Sequence, residues 1–294
     1  MRRFLVLGVN GQLGSALQTV FEREGQVIAP DRSACDLTDP HSIRAAVRAA
    51  RPDAILNAAA YTAVDRAESE PDLAMRVNGQ APAILAEEAK ACGALLVHYS
   101  TDYVFDGTKP GPWLESDSVN PLNTYGATKL AGERNIQHIG GRFLIFRTSW
   151  VFSQRGHNFL LTMLRVGQEQ QELKIVNDQF GAPTSAAALA KATRTILTAE
   201  PPHNFREVSG IYHITCAGET SWCGFAQAIF NRARAPKPWA SVKGIPTSEY
   251  PTAAVRPANS VLSSQKLKET FGIELPTWQA VLDATLDTLG ILRR

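Results

Sequence analysis

The sequence predicts an α/β protein, with a doubly wound parallel sheet and a smaller, mixed lobe toward its C-terminal end. Three observations lead to this fold class. In the first half, short apolar runs alternate with longer amphipathic segments, as in parallel strands joined by helices. The apolar runs are continuous, which indicates strands buried on both faces. After about residue 150 this alternation becomes irregular and prolines accumulate.

In the first half, each predicted strand is followed by a predicted helix until the sheet reaches its fifth strand. Asp39 precedes an apolar pattern of helical spacing and is a suitable N-cap for the second helix. The predicted strands are 3–9, 26–30, 53–60, 94–100 and 142–148. The predicted helices are 12–24, 40–50, 71–91 and 124–137.

The second half is predicted to form most of a separate lobe. Its predicted helices are 156–170, 185–198, 221–234 and 276–290, and its predicted strands are 173–176 and 210–215. The proline-rich segment 235–263 is predicted to be mostly loop. We therefore assign residues 1–150 to a first domain, completed by segments from the second half, and residues 151–294 mainly to the second lobe.

Composition excludes several classes of protein. The chain has 294 residues, 44% of them hydrophobic, which is enough for a full core. A net charge of +2 with mixed signs is not typical of nucleic-acid binding. No apolar run approaches the length of a membrane span, and "FLVLGV" at the N-terminus is interpreted as a strand. The four cysteines have no metal-binding spacing, which predicts a cytoplasmic protein with reduced thiols.

A glycine-rich turn follows the first predicted strand and opens the first helix. It contains Gly8, Gly11 and Gly14, with Gln12 and Leu13 between the last two. Such a turn lets the backbone approach a pyrophosphate, which then faces the positive end of the helix dipole. This predicts a Rossmann-type domain that binds a dinucleotide, although the spacing differs from the common G-x-G-x-x-G pattern.

The end of the second strand carries the residues expected near the adenosine. Asp31 is placed to meet the ribose, whereas Arg32 beside it suits a 2′-phosphate. Asp36 and Leu37 are candidates to cover the adenine. Because Asp31 and Arg32 favour opposite cofactors, the choice between NADH and NADPH stays open.

Tyr125 and Lys129 are four residues apart in "NTYGATKLAGE", so both project from one face of a helix. A free phenol has a pKa of about 10, and a nearby ammonium is expected to lower it. Tyr125 can then exchange a proton with a carbonyl or alcohol oxygen, while Lys129 holds ribose hydroxyls. The pair alone is a weak signal, but it follows the glycine turn and the "YST" that ends the fourth strand.

Together these features resemble the extended short-chain dehydrogenase/reductase superfamily and, within it, the dTDP-4-dehydrorhamnose reductase family. The resemblance covers essentially the whole chain. It rests on "GVNGQLG" (8–14), "NAAAYTAVDRAESEP" (57–71), "VHYSTDYVFDG" (97–107), "PLNTYGATKLAGE" (121–133), "FRTSWVF" (146–152), "NDQFGAPTS" (177–185), "YHIT" (212–215) and "PTAAVRPANSVL" (251–262).

The resemblance implies hydride transfer from NADPH or NADH to C4 of dTDP-4-dehydro-L-rhamnose, giving dTDP-L-rhamnose. It assigns proton donation to Tyr125, tuning and ribose binding to Lys129, and a hydrogen bond to the C4 oxygen to Thr101. Residues implied to line the cofactor cleft are Ala60, Tyr61, Thr62 and Asn78. Residues implied to face the sugar nucleotide are Asp102, Tyr103, Phe105, Trp150, Asn177, Gln179 and Arg256.

The sequence departs from this family at a metal site. Some members are described as dimers bridged by Mg²⁺ through acidic residues, whereas the corresponding stretches here offer Ala16, Ala187 and Lys191. Mg²⁺ requires oxygen ligands, so the bridging site is predicted to be absent. The sequence leaves open whether the protein is a monomer or a homodimer.

Two alternatives remain. One is another nucleotide-sugar reductase or epimerase of the superfamily, or a dehydratase. The dehydratases usually have Asp-Glu after the threonine, whereas Thr101 is followed here by Asp102 and Tyr103. The second is a non-catalytic NADP-binding protein like the regulatory subunit of methionine adenosyltransferase. Such a subunit need not retain Thr101, Tyr125 and Lys129 together.

Overall fold

The computed structural model describes residues 1–293. The strands, in chain order, are β1 (Arg3–Leu7), β2 (Gln26–Ile28), β3 (Ala54–Asn57), β4 (Leu95–Thr101), β5 (Arg142–Thr148), β6 (Val151–Phe152), β7 (Glu172–Val176), β8 (Phe180–Gly181), β9 (Thr184–Ser185), β10 (Gly210–His213), β11 (Thr220–Ser221) and β12 (Ser241–Ile245). The helices are α1 (Gln12–Phe21), α2 (Pro40–Ala50), α3 (Val64–Ala67), α4 (Pro71–Met75), α5 (Ala81–Cys92), α6 (Thr124–Ile139), α7 (Phe159–Glu169), α8 (Ala186–Leu197), α9 (Trp222–Arg232), α10 (Gln265–Phe271) and α11 (Trp278–Thr288).

A six-stranded parallel sheet organises the chain, with strand order β10-β5-β4-β3-β1-β2. The chain runs outward from β1 to β2 and then returns to the other side of β1 to form β3. In an open α/β sheet, ligands bind beyond the carboxyl ends of the strands at such a reversal. The predicted fold class is confirmed, and β10 shows that the second half supplies a strand to the main sheet.

Helices cover both faces of this sheet. Successive residues of β1 alternate between two apolar cores: Phe4 and Val6 belong to one, Leu5 and Leu7 to the other. The pattern follows from the two-residue period of a strand, and it explains why β1 is a continuous apolar run.

The structure corrects three predicted elements. The predicted helix 71–91 is divided into α4 and α5 by a π-helical turn, Arg76–Gln80. The predicted loop 235–263 contains β12, which pairs in parallel with β7. Helix α10 was not predicted. The strand β12 has five residues between prolines, and its pairing with a distant strand leaves no local signal.

No helix among residues 1–293 combines the length and apolar character needed to cross a bilayer.

A buried ion pair fixes α6 to the sheet. Arg147 of β5 and Glu133 of α6 are joined through Arg147 Nη2 and Glu133 Oε2, 2.6 Å apart, and through Arg147 Nε. Both side chains are almost completely buried. A charge left alone at this depth keeps its desolvation penalty without compensation.

We expect the change Arg147→Met to lower the free energy of unfolding by about 3–5 kcal/mol, because it leaves the Glu133 carboxylate buried and unpaired. The double change Arg147→Met, Glu133→Met should recover most of this loss. The control is Arg165→Met, which removes an exposed pair with Glu169 and should cost about 1 kcal/mol or less. Urea unfolding measures all three, and a double variant no more stable than Arg147→Met would contradict the assignment.

Candidate active site

An open groove of about 360 Å³ lies at the carboxyl ends of β1, β2 and β3. It combines backbone of the glycine turn with residues that follow the other two strands. Predicted cofactor residues that line it are Gly8, Gly11, Asp31, Arg32, Asp36, Leu37, Ala60 and Tyr61. The fold therefore brings together segments that are far apart in the sequence.

The glycine turn has the tight geometry expected of a dinucleotide cradle. Gly8 has φ of +80°, and a Cβ atom there would lie 2.7 Å from the Ala59 nitrogen. A Cβ at Gly14 would lie 2.0 Å from the Gly8 oxygen, so only glycine lets α1 approach β1 this closely. Helix α1 begins after Gly11 without a side-chain cap, which leaves its first amides available to an anion. The groove and the turn therefore fit a dinucleotide.

Three predicted members of the turn, Gln12, Leu13 and Gly14, do not line the groove. The Leu13 side chain is buried in the core between α1 and the sheet, so the residue can offer only its backbone. Gln12 is partly buried beside Gly156. Gly14 acts by close packing, as described above, rather than by facing the groove.

At the adenosine end, the Asp31 carboxylate already accepts hydrogen bonds from its own loop, whereas the Arg32 side chain is largely exposed. One Asp31 oxygen, Oδ1, accepts hydrogen bonds from Ser33 N, Ser33 Oγ and Ala34 N. These bonds, led by the Ser33 hydroxyl, hold the pKa of Asp31 below its usual value. Arg32 has a side chain that is 79% exposed, with Nε 3.9 Å from Asp36 Oδ1.

Asn78 lies outside the groove, contrary to the prediction that it lines the cleft. It is buried, and its Oδ1 accepts a hydrogen bond from Tyr61 N while its Nδ2 donates to Tyr61 O. Its Nδ2 also approaches Thr128 Oγ1 at 3.2 Å. Asn78 therefore fixes the Tyr61 loop to α6. The predicted Thr62 is exposed on this loop and is not part of the groove wall.

The predicted catalytic residues meet where β4 ends and α6 begins. Thr101 is buried at the end of β4, and its hydroxyl donates to Asp102 Oδ1 at 2.9 Å. Tyr125 lies in the first turn of α6, with its ring 5.6 Å from the Tyr103 ring in an edge-on arrangement. Burial, followed by the Asp102 charge, raises the pKa of Tyr125 to about 12, while a hydrogen bond with Thr101 opposes this shift.

Lys129 follows one turn later and is also buried. Its Nζ donates to the Tyr99 carbonyl oxygen at 2.6 Å and lies 3.1 Å from His98 Nε2. Burial lowers the pKa of Lys129 to about 8, against an opposing contribution from Glu133. Burial dominates at Tyr125, and its pKa rises above the usual value. That Lys129 tunes Tyr125 stays a prediction.

A second cavity, of about 290 Å³, opens beside this group and is formed largely by the C-terminal lobe. Of the predicted substrate residues, Gln179 and Arg256 line it. Residues not predicted for the site also line it: Phe159, Thr162, Met163, Lys174, Ile175, Val176, Trp222, Tyr250 and Thr252. Trp222 stacks on Trp150 with ring centroids 3.5 Å apart.

The other predicted substrate residues do not line this cavity: Thr101, Asp102, Tyr103, Phe105, Trp150 and Asn177. The last of these and Phe105 have other contacts. Phe105 is completely buried and stacks on Trp113 at a centroid distance of 4.4 Å, so it packs in the interior and cannot contact a ligand in the cavity. Asn177 is exposed and contacts the Gly244 backbone beside β12. Both corrections depend on side-chain direction after a strand end, which sequence does not specify.

Asp65, in the turn that follows β3, connects the two halves of the chain. It pairs with Arg256, with Oδ2 2.7 Å from Nη2, and accepts a hydrogen bond from Ala254 N. Glu68 in the same segment accepts from Thr124 N at the start of α6. The acidic residues after β3 therefore hold elements of the site in place. Their occurrence in a family motif was the signal available from sequence.

No cluster of three or more His, Cys, Asp or Glu side chains able to hold a metal is found within residues 1–293. Lys191 is exposed on α8, where the family motif suggested an acidic ligand. The absence of a bridging Mg²⁺ site stays a prediction.

The fold and the site define a Rossmann-type protein of the extended short-chain dehydrogenase/reductase class. The sequence matches the family described as "RmlD substrate binding domain" over residues 1–291. The chain therefore belongs to this family, and the resemblance predicted from its motifs is confirmed.

Named relatives agree with this assignment. The chain is 50% identical over 284 residues to the dTDP-4-dehydrorhamnose reductase of Burkholderia thailandensis, covering 94% of this chain and 95% of the relative. It is 43% identical to that of Escherichia coli K12, covering 97% of each. The crystal structure of the dTDP-4-dehydrorhamnose reductase from Bacillus anthracis in complex with NADP superposes with a TM-score of 0.90 at 34% identity, covering 98% of this chain and 100% of that chain.

The buried Asp102 carboxyl generates a prediction about pH. Burial raises its pKa from 3.8 to about 6, despite hydrogen bonds led by those of Ser260 and Thr101. Between about pH 4 and 6 the folded state therefore binds more protons than the unfolded chain, so the free energy of unfolding falls as pH rises through this window. Above pH 6 the penalty persists in full.

We expect Asp102→Asn to stabilise the fold above pH 6 by an amount on the order of 1–3 kcal/mol, and to have little effect at pH 4. Asp106→Asn is the matched control, because hydrogen bonds from Thr108 lower the pKa of Asp106 and its loss should destabilise at neutral pH. Urea unfolding at pH 4, 6 and 8 measures both, and an Asp102→Asn effect independent of pH would refute the assignment.

Proposed function

We propose that this chain reduces the C4 keto group of dTDP-4-dehydro-L-rhamnose with NAD(P)H, giving dTDP-L-rhamnose. The observation that carries the proposal is that Thr101, buried at the end of β4, and Tyr125, half-buried in the first turn of α6, come together beside Asp102 and Tyr103. A hydride from the groove and a sugar from the cavity would meet at this point. The named relatives supply the particular substrate.

The nicotinamide, when bound, supplies the hydride. Residues of the chain bind the cofactor, position the substrate and donate the proton. The amides that begin α1 bind the pyrophosphate, and Lys129 holds the nicotinamide ribose. Tyr125 donates its phenolic proton to the C4 oxygen as that oxygen gains negative charge. A pKa of about 12 keeps this phenol protonated at neutral pH, which suits a proton donor. Thr101 positions the same oxygen.

The second cavity suits a sugar nucleotide. Lys174 and Arg256 provide positive charge for a diphosphate, and the arginine can bind two oxygens at once. Phe159, Trp222 and Tyr250 offer apolar rings to the base and sugar. Gln179 is held by Thr247, with its Nε2 3.1 Å from Thr247 Oγ1, and presents a polar group to the substrate.

The residue after Asp102 supports reduction over dehydration. Elimination of water needs an additional acid or base beside the sugar, and Tyr103 occupies the place where the dehydratases have Glu. Burial raises the pKa of Tyr103, so it stays neutral. An epimerase would retain its cofactor in an unchanged oxidation state, so stoichiometric NADPH consumption would distinguish the two activities.

We also propose that the protein acts in the cytoplasm on a dTDP-sugar, as a monomer or homodimer, without a nucleic-acid or membrane partner. Mixed charge and a net charge of +2 support the absence of a nucleic-acid partner.

The test of the function is an NADPH-oxidation assay with dTDP-4-dehydro-L-rhamnose on the wild type and on Tyr125→Phe. We expect the variant to bind NADPH normally and to lose about 100-fold or more in kcat, since general acid catalysis contributes about 10²–10⁴-fold. Tyr99→Phe removes a buried hydroxyl bonded to Thr193, away from the reacting atoms, and serves as the control. A wild type that binds NADPH without turnover would favour a regulatory subunit.

The adenosine end of the groove predicts a preference for NADPH. Three hydrogen bonds already engage Asp31 Oδ1, whereas the exposed Arg32 is available to a 2′-phosphate. We expect Arg32→Ala to raise the KM for NADPH about tenfold, since a charge-assisted hydrogen bond is lost, with little change for NADH. The exposed Arg23→Ala is the control, and equal losses with both cofactors would contradict the assignment.

A further inference from the structure

A row of buried polar side chains lies behind the proposed site and is not used by its chemistry. It runs from Lys129 on α6 through His98 on β4 to Asn57 on β3. The three residues are each at most 1% exposed. Burial of polar groups is unfavourable unless they are hydrogen-bonded to one another, so the row calls for an explanation.

We propose that His98 is a positioning residue: its Nε2 accepts a hydrogen bond from the Lys129 ammonium and holds that ammonium in place for the cofactor ribose. The inference rests on the proposed function, in which Lys129 binds that ribose. His98 itself does not touch the reacting atoms.

The distances define how Lys129 is held. Its Nζ is 2.6 Å from the Tyr99 carbonyl oxygen and 3.1 Å from His98 Nε2. An ammonium has three N–H donors, so these two acceptors leave one N–H free to bind a ligand. The other His98 nitrogen, Nδ1, is 3.0 Å from Asn57 Nδ2, and Asn57 Oδ1 accepts a hydrogen bond from Ala59 N at 3.3 Å. His98 and Asn57 are direct partners in the pairing of β3 with β4, which keeps the imidazole in register.

The positions of the protons follow from these contacts. A neutral imidazole has one N–H and one acceptor nitrogen. If Lys129 is charged, Nε2 must be the acceptor and Nδ1 carries the proton. The Asn57 amide must then be turned so that its oxygen, rather than the nitrogen that lies 3.0 Å away, faces Nδ1. With the Asn57 nitrogen toward Nδ1, the proton moves to Nε2, and Lys129 must then be a neutral amine. The row therefore has two consistent arrangements, one for each charge state of Lys129.

The surroundings favour the charged state of Lys129 at neutral pH. Burial and the Lys129 charge lower the pKa of His98, so the imidazole is neutral and free to accept. The Glu133 carboxylate raises the pKa of Lys129 against the effect of burial. The imidazole Nε2 and the Tyr99 carbonyl thus compensate an ammonium that would otherwise be poorly solvated.

Two substitutions of His98 distinguish the contribution of Nε2 from that of Nδ1. His98→Gln can place its amide oxygen near the Nε2 position and keep the acceptor for Lys129. His98→Asn reaches only the Nδ1 position and loses that acceptor. The affinity for NADPH is measured by fluorescence without sugar substrate, together with kcat, KM and the melting temperature.

We expect His98→Asn to bind NADPH about tenfold more weakly, the loss expected for one hydrogen bond to a charged group, and His98→Gln to restore most of that affinity. Adding His98→Asn to Lys129→Met should weaken NADPH binding no further than Lys129→Met alone, because His98 acts through Lys129. Equal losses in the Asn and Gln variants, or additive losses in the double variant, would overturn the proposal.

A measurement on the wild type does not depend on whether the variants fold. Nitrogen-15 shifts of the His98 ring at pH 6 should report the tautomer with the proton on Nδ1, and a proton on Nε2 would refute the proposal. The NADPH affinities and the ring shifts need no sugar. If wild-type protein fails to reduce the sugar, the proposed function fails while these measurements still decide the role of His98.

Discussion

The close contact between α6 and β4 is the constraint on which the site depends. A Cβ at Gly126 would lie 2.2 Å from the Tyr103 carbonyl oxygen, so the first turn of α6 can rest directly on the chain leaving β4. Lys129 joins the same two elements through the Tyr99 carbonyl. Because Thr101 ends β4 and Tyr125 begins α6, this contact sets the distance between them. The four-residue spacing of Tyr125 and Lys129 cannot do so alone.

The packing of α6 against β4 also keeps the Tyr125 phenol protonated, because burial raises its pKa. A lysine near a tyrosine suggests an activated phenolate when only sequence is considered. In the structure, the Lys129 donors are directed toward Tyr99 and His98, and burial has the larger effect on Tyr125. A protonated phenol suits reduction, in which the substrate oxygen gains a proton. The charged lysine then contributes more by holding the cofactor than by ionising the tyrosine.

Sequence was sufficient for features with a local cause. The parallel strands followed from continuous apolar runs, and the glycine turn followed from its position after β1. It was insufficient where long-range contacts decide the outcome. The resemblance implies that Phe105 faces the sugar nucleotide, but its ring stacks on Trp113. It also implies that Asn78 lines the cofactor cleft, but its amide is hydrogen-bonded to the Tyr61 backbone. No periodicity reveals which partner such a side chain finds.

The pairing of Asp65 with Arg256 shows how such contacts can prepare a site. The two residues are 191 positions apart, and two Arg256 nitrogens bond to the carboxylate. A further bond from Arg256 to the Ala254 carbonyl fixes the loop itself. An arginine held in this way loses less side-chain entropy when an anion binds than a free one would. The acidic turn after β3 therefore orders the Arg256 guanidinium at the second cavity. The turn itself lies in the half of the chain that forms the dinucleotide groove.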